Sequence, residues 1–259
     1  VQLEYMDQHT PRTRLDGKIY TSTEYPAEEE INLHHEMSYS HNWPMKIWFF
    51  CAQPAESGGR TPVASDRKAF TLLHPDLKET FMRKKVMYVR NFGEGVDLPW
   101  QEVFQTNDRA VVEEYCSKAN MTVEWKEGDR LRTRQVRPPV AVHPVTGETV
   151  WFNHAHMFHM SSLDVRVRAS LSAEFSEDEF PRNAFFGDGS AIEDGVLEEI
   201  REVYRQAAVR FDWQHGDVLM LDNPDIQQIA ASGAHATSAR ATRFVQRSRG
   251  PTSTSRGPR

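Results

Sequence analysis

The residues most able to do chemistry are His34 and Glu36, in the run Leu33-His34-His35-Glu36-Met37-Ser38-Tyr39-Ser40. On an extended strand, side chains two apart share a face, so this spacing turns one imidazole and one carboxylate toward a common point. A 2-His-1-carboxylate set with open positions suits non-haem Fe(II) and oxygen chemistry, with the third donor coming from far along the chain. A second cluster, Asn153-His154-Ala155-His156-Met157-Phe158-His159, offers a rival pair. If the strand through Trp151 and Phe152 continues, His154 and His156 share a face as well. No carboxylate lies near them in sequence, and histidines beside Trp151, Phe152 and Phe158 often serve as hydrogen-bonding core residues. A zinc hydrolase built on His34, Glu36 and His154 or His156 is therefore a competing chemistry.

Strands are expected to carry both clusters. Ile31 to Tyr39 reads as a strand, and Lys46 to Ala52 is a continuous apolar run typical of a strand buried on both faces and lying beside it. Ser57-Gly58-Gly59-Arg60-Thr61-Pro62-Val63 is a glycine-rich approach to a short strand, and Thr61 offers a hydroxyl there; a plain β-turn also accounts for the glycines. Ser65 is an N-cap candidate for a helix carrying Phe70, Leu73, Leu77 and Phe81, interrupted at His74-Pro75. Val86 to Phe92 reads as a strand, and Thr106 to Arg109 as the cap of a helix ending near Lys118. Val123 to Lys126 and Leu131 to Val136 form a hairpin across Glu127-Gly128-Asp129. Asp188-Gly189-Ser190 is expected to cap the clearest helix, with Ile192, Val196, Ile200, Val203 and Ala207 along its buried stripe. A Gly-Asp turn then feeds Val218 to Leu221 into a buried strand whose polar end, Asp222-Asn223, faces a pocket or binds a turn. Strands joined by turns and interrupted by helices point to a β-sandwich or jelly roll with inserted helical arms.

The 259 residues suffice for one substantial core. A 39% hydrophobic share and no apolar run long enough to cross a bilayer describe an ordinary globular protein, with no membrane partner expected. Cys51 and Cys116 stand in dissimilar contexts without CxxC spacing, which argues against a disulfide framework and for a reducing cytoplasm. The net charge of −6 is uneven. From Pro224 onward six arginines face the single acid Asp225, making the end +5 and the preceding body −11. An acidic body argues against nucleic acid as a partner. Oligomeric state is not encoded in any of these features.

The ordered series His34-x-Glu36-Met37-Ser38-Tyr39-Ser40, Trp43-Pro44, Gly58-Gly59-x-Thr61-Pro62, Trp100-Gln101-Glu102-Val103-Phe104-x-Thr106, Arg132-Thr133-Arg134, His143-Pro144-x-Thr146-Gly147-Glu148, Trp151-Phe152-Asn153, Pro181-Arg182-Asn183, Gly187-Asp188-Gly189 and Gly216-Asp217-Val218-Leu219-x-Leu221-Asp222-Asn223 resembles the taurine dioxygenase (TauD/TfdA-like) family of Fe(II)/2-oxoglutarate-dependent oxygenases. It looks closest to the branch associated with amino-acid hydroxylation in natural-product pathways. The resemblance implies a mainly β fold with helical insertions, a double-stranded β-helix or jelly roll, with Fe(II) and 2-oxoglutarate as cofactors. It makes His34 and Glu36 the proximal iron ligands and catalytic residues, Thr61 a hydrogen-bond donor to the cosubstrate, and Asn153 and His156 pocket-lining residues. The implied reaction hydroxylates an unactivated C-H bond of an amino acid or related small molecule, free or tethered to a carrier protein. Decarboxylation of 2-oxoglutarate to succinate accompanies it.

The sequence departs from the family pattern after Asn223. Where the family places its third iron ligand, a histidine followed by glycine, this chain reads Asn223-Pro224-Asp225-Ile226-Gln227-Gln228-Ile229. His235 is the next histidine and the candidate third ligand, with Arg240 or Arg243 as the partner of the cosubstrate's distal carboxylate. The alternative is a catalytically impaired family member acting as a small-molecule or partner-binding jelly roll, because losing one of three ligands weakens iron binding. The expected organisation is an oxygenase domain over 1–223, lacking its N-terminal start, and a divergent, disordered basic tail over 224–259. The C-terminal part of the jelly roll is then atypical or incomplete. From Ala230 onward only Phe244 and Val245 are large and apolar, which gives no further core strand by periodicity. Such a composition is also what a GC-rich coding sequence yields out of frame, which sequencing the coding DNA tests.

Overall fold

The computed structural model describes residues 14–16, 19–20, 32–55, 58–93, 97–224, 226–228 and 241–247. In chain order its strands begin with β1 (Arg14–Asp16), β2 (Ile19–Tyr20), β3 (Pro44–Cys51), β4 (Thr61–Ser65), β5 (Val86–Phe92), β6 (Met121–Lys126) and β7 (Arg130–Arg137). The remaining strands are β8 (Val140–Val142), β9 (Thr149–Trp151), β10 (Arg182–Phe186), β11 (Ala208–Phe211), β12 (Val218–Asp222), β13 (Ile226–Gln228) and β14 (Ala241–Arg247). The α-helices are α1 (Asp66–Leu72), α2 (Pro75–Lys84), α3 (Trp100–Phe104), α4 (Arg109–Lys118), α5 (Ala155–Phe158), α6 (Val165–Glu174) and α7 (Asp194–Ala207).

The strands form sheets ordered β1-β2-β14-β3-β12, β10-β5-β7-β6, β11-β4-β13 and β8-β9. Strand and helix are mixed along the chain, and the described residues form these separate sheets without closing a barrel. Where periodicity gives no strand beyond Ala230, Ala241–Arg247 pairs antiparallel with β3, from Ala241 opposite Cys51 to Arg247 opposite Pro44.

Several local expectations hold because the signals are local. Ser65 accepts a hydrogen bond from the Lys68 amide and starts α1, and Pro75 opens α2 after the interruption. Asp108 caps α4 through the Ala110 amide. The β6-β7 hairpin pairs Lys126 with Arg130, and Gly128 and Asp129 both take positive φ in its turn.

Other expectations are corrected. Residues 32–40 do not form a strand beside β3: only His34 makes a bridge, and the neighbours of β3 are β14 and β12. The chain turns there instead, with Met37 at φ 58° and the Ser40 amide donating to the Met37 carbonyl at 2.9 Å. β3 and β12 are not buried on both faces. Ile47, Phe49, Cys51 and Leu221 are buried, while Phe50, Val218 and Met220 are exposed, the alternation of a sheet with one covered face. His154 and His156 do not share a strand face, because β9 ends at Trp151 and residues 155–158 are helical. Asn153 causes the change by accepting from the Ala155 amide at 3.1 Å. Asp188 caps a turn through the Ser190 amide at 3.0 Å, and the helix starts later, at Asp194.

The largest core cluster joins α1, α2, α5, α7, β5, β9 and β10 through Phe81, Tyr88, Trp151, Phe158, Leu197 and Tyr204. Each such side chain contributes about 1.5–3 kcal/mol of transfer free energy. A second cluster, including Phe92, Trp100, Val112 and Leu131, packs α3 and α4 on β6 and β7. The buried face of α7 also carries Arg201 and Tyr204, whose polar tips reach past the apolar stripe.

Candidate metal centre

The loop of residues 32–40 presents the two proposed donors, and both are buried. Apart from the bridge at His34 and the bond within its own turn, its backbone is held by side chains from distant segments. Asn223, at the end of β12 and fully buried, accepts from the Glu36 amide through Oδ1 at 2.8 Å. Its Nδ2 donates to the carbonyls of Glu36 at 2.9 Å and Pro44 at 2.8 Å. Its own amide donates to the Met45 carbonyl at 2.9 Å. Asn223 thereby binds the donor turn to the first residues of β3, one of the two roles the sequence allowed for it.

His34 donates from Nδ1 to the Asn32 carbonyl at 2.8 Å. That bond fixes the tautomer and places the lone pair on Nε2, the state in which imidazole ligates a metal. His35, between the donors, hydrogen-bonds through Nε2 to Asp66 Oδ2 at 2.6 Å, and both side chains are inaccessible to solvent. The Tyr204 hydroxyl donates to the other carboxylate oxygen of Asp66 at 3.1 Å.

The second histidine cluster folds against the first. The rings of His34 and His154 have centroids 5.7 Å apart. His154 Nδ1 lies 2.6 Å from the Ser38 hydroxyl, and its amide donates to the Tyr88 oxygen at 2.7 Å. Burial pushes the Tyr88 phenol up, so it stays protonated. His156 donates from Nε2 to the Leu33 carbonyl at 2.8 Å. Burial drives its pKa down to about 3, the Leu33 bond opposes this, and the nearby Arg201 charge adds to it. It is therefore neutral at pH 7, and its carbonyl accepts from Arg201 Nε at 3.1 Å and Nη2 at 2.8 Å. Asn153 is fully buried and spends its amide on the Pro139 carbonyl at 2.9 Å as well as on the Ala155 amide.

Thr61 opens β4 opposite Phe211 and is buried. The Trp213 indole donates to Thr61 Oγ1 at 2.7 Å, which leaves the hydroxyl hydrogen to be given elsewhere. Arg243 lies on β14, opposite Phe49 and Tyr20. His235 and Arg240 lie outside the described residues. Among the described residues, no three of His, Cys, Asp and Glu converge as a metal site. The structure places His154 against His34 and His156 against the Leu33 carbonyl, and among the described residues no third donor joins His34 and Glu36.

Sequence reading missed Ser38, Asp66, Tyr88, Arg201, Tyr204 and Trp213. One signal was available: Arg201 and Tyr204 lie three apart on the apolar stripe of α7, where a polar tip needs a buried partner.

Residues 3–227 match the family model described as taurine catabolism dioxygenase TauD, TfdA family. The dapdiamide synthesis protein DdaC of Enterobacter agglomerans is 40% identical over 222 residues, covering 86% of this chain and 68% of that protein. A clavaminate synthase-like protein of Arabidopsis thaliana is 26% identical over 232 residues, covering 86% of this chain and 67% of the other. Among solved structures, asparagine oxygenase in complex with Fe(II), 2S,3S-3-hydroxyasparagine and succinate aligns with TM-score 0.50 at 11% identity. That alignment covers 88% of this chain and 56% of the other, so the chain spans little more than half of that structure, and the likeness concerns the fold alone. No helix of the described residues is long and apolar enough to cross a membrane.

Proposed function

The chain belongs to the TauD, TfdA family of dioxygenases, and from that premise and the donor geometry we propose an Fe(II)/2-oxoglutarate-dependent hydroxylase of an amino acid or related small molecule, free or carrier-tethered. The observation that carries this reading is the buried loop in which His34 has its Nδ1 capped by a carbonyl while the adjacent Glu36 backbone is clamped by Asn223. An imidazole whose Nδ1 donates to a carbonyl, with a carboxylate two residues further on, fits Fe(II), which takes nitrogen and oxygen donors. The reading assigns the third position to His235 and the cosubstrate contacts to Thr61 and to Arg240 or Arg243. It treats 1–223 as the oxygenase domain, with the jelly roll of the family as its architecture. The substrate class is supported by the 40% identity to a protein named for dapdiamide synthesis.

When bound, Fe(II) and 2-oxoglutarate would supply the oxidising chemistry with dioxygen as the oxidant, one oxygen atom entering the unactivated C-H bond and the other entering succinate as 2-oxoglutarate loses carbon dioxide. The chain's own residues hold and shield. His34 and Glu36 bind the cation, and Thr61, with Trp213 occupying one lone pair, donates its hydroxyl hydrogen to a carboxylate of the cosubstrate. Tyr39, Phe152 and Phe158 pack around His35 and His154 and keep water from the donor loop.

The test is succinate release from 2-oxoglutarate with added Fe(II), across free amino acids and carrier-tethered aminoacyl groups. Succinate dependent on both cofactors, with a product heavier by one oxygen atom, is the expected result. Absence of both turnover and metal retention would favour the binding jelly roll, and activity with zinc in the absence of 2-oxoglutarate would favour the hydrolase.

A further inference from the structure

Asp66 does not belong to the donor set, yet it is fully buried and faces the middle of it. A carboxylate with no access to water is costly unless its oxygens accept strong hydrogen bonds. Here Oδ2 accepts from His35 at 2.6 Å and Oδ1 from the Tyr204 hydroxyl at 3.1 Å. The three residues come from different parts of the fold: the donor loop, the first turn of α1 and the buried face of α7.

We propose that Asp66 is a positioning residue for the metal donors: anchored by Tyr204, it grips His35 and so sets the directions in which His34 and Glu36 leave the backbone. The inference rests on the reading of His34 and Glu36 as metal donors. His34 sits in an isolated bridge, and the two rings face different surroundings, His34 against His154 and His35 against Phe152. Fixing the His35 ring in its own setting restrains the rotation of the backbone between the donors. The Phe152 ring, 4.5 Å from the His35 ring between centroids, blocks the ring from swinging out of this position. Asp66 also follows β4 without a break, and β4 begins at Thr61. The same contact therefore keeps the donor loop in register with the strand that carries the proposed cosubstrate threonine.

A second tie acts in parallel from the same face of α7. Arg201 holds the His156 carbonyl, and His156 holds the carbonyl of Leu33, the residue before His34. The helix thus braces the donor loop at Leu33 and at His35, one residue to either side of His34.

The test is metal binding by the full chain under anaerobic conditions, by titration with Mn(II) and by the Co(II) ligand-field spectrum. Outer partners of metal sites change affinity by about 10–100-fold when removed, so Asp66→Asn is expected to weaken Mn(II) binding by about 10-fold or more and to shift the Co(II) bands. Tyr204→Phe keeps the ring packing and loses one hydrogen bond, so it is expected to weaken Mn(II) binding about threefold or more and guards against a misfolded Asp66 variant. Val112→Ala, a cavity in the separate cluster around α4, controls for lost stability and should leave Mn(II) affinity and spectrum unchanged. Wild-type Mn(II) affinity and Co(II) bands in both Asp66→Asn and Tyr204→Phe would overturn the proposal while leaving the donors intact. A wild-type chain that binds neither metal would overturn the donor assignment itself, and this inference with it.

Discussion

Asn223 offers the sharpest quantitative test of how the donor loop is held. Its side chain makes three hydrogen bonds to the backbone of Glu36 and Pro44, all fully buried. Removing them with Asn223→Ala strands one amide and two carbonyls; at about 1 kcal/mol net for each bond, the expected cost is about 3–4 kcal/mol. For a domain of this size that lowers the melting temperature by roughly 6–16 °C. Asn223→Asp is the more discriminating change because it keeps the shape and the acceptor for the Glu36 amide. It replaces the two donor bonds by an oxygen facing two carbonyls, so its folded pKa should rise above the unfolded value near 3.9. The folded state then binds more protons than the unfolded one between those two values. The Asn223→Asp protein should therefore be closest to wild type at low pH and lose relative stability as pH rises through its folded pKa. Urea unfolding of both variants and wild type at several pH values measures this, with m unchanged if the native state is intact. A cost below about 1 kcal/mol for Asn223→Ala, or a pH-independent deficit for Asn223→Asp, would refute the clamp.

Two further outcomes follow from the geometry. Trp213→Phe removes the donor to Thr61 Oγ1 and lets the hydroxyl rotate, so the KM for 2-oxoglutarate should rise about 3–10-fold with kcat nearly unchanged, as steady-state succinate assays would record. Burial holds His159 down to about 4, with Asp194 opposing and the Arg201 and Arg168 charges adding to the depression. The unfolded chain binds a proton there near pH 6.5, so the neutral histidine's contribution is complete above that value and disappears as pH falls toward 4. His159→Gln should therefore flatten the acid limb of the stability curve, narrowing its difference from wild type by roughly 2 kcal/mol between pH 7 and pH 4 in denaturant titrations.

What the sequence made legible was local. β5 runs from Val86 to Phe92 as its β-branched and aromatic residues suggest, and Asp108 starts α4 because one side-chain oxygen suffices to cap a helix. The donor loop was legible in its residues but not in its shape. Its backbone hydrogen bonds go to Asn223, 187 positions away, and His156 reaches Leu33 across 123, contacts that no local period encodes. The histidine cluster misled for a nearer reason: Asn153 turned an apparent strand continuation into a helix start, taking His156 away from the face of His154. The Asp188 turn and the α7 start were confused because both combine acidic residues with an apolar stripe, and Ile192 is buried without being helical. Asp66 carried no mark in sequence beyond its place after an N-cap serine, although it faces the centre of the donor loop.

The most direct test of the account is the iron content of the chain reconstituted anaerobically with Fe(II), compared with Glu36→Ala and His34→Ala. The account predicts about one iron per wild-type chain and its loss in both variants, as a site built on few protein ligands requires. Iron retained at the wild-type level in Glu36→Ala would contradict it.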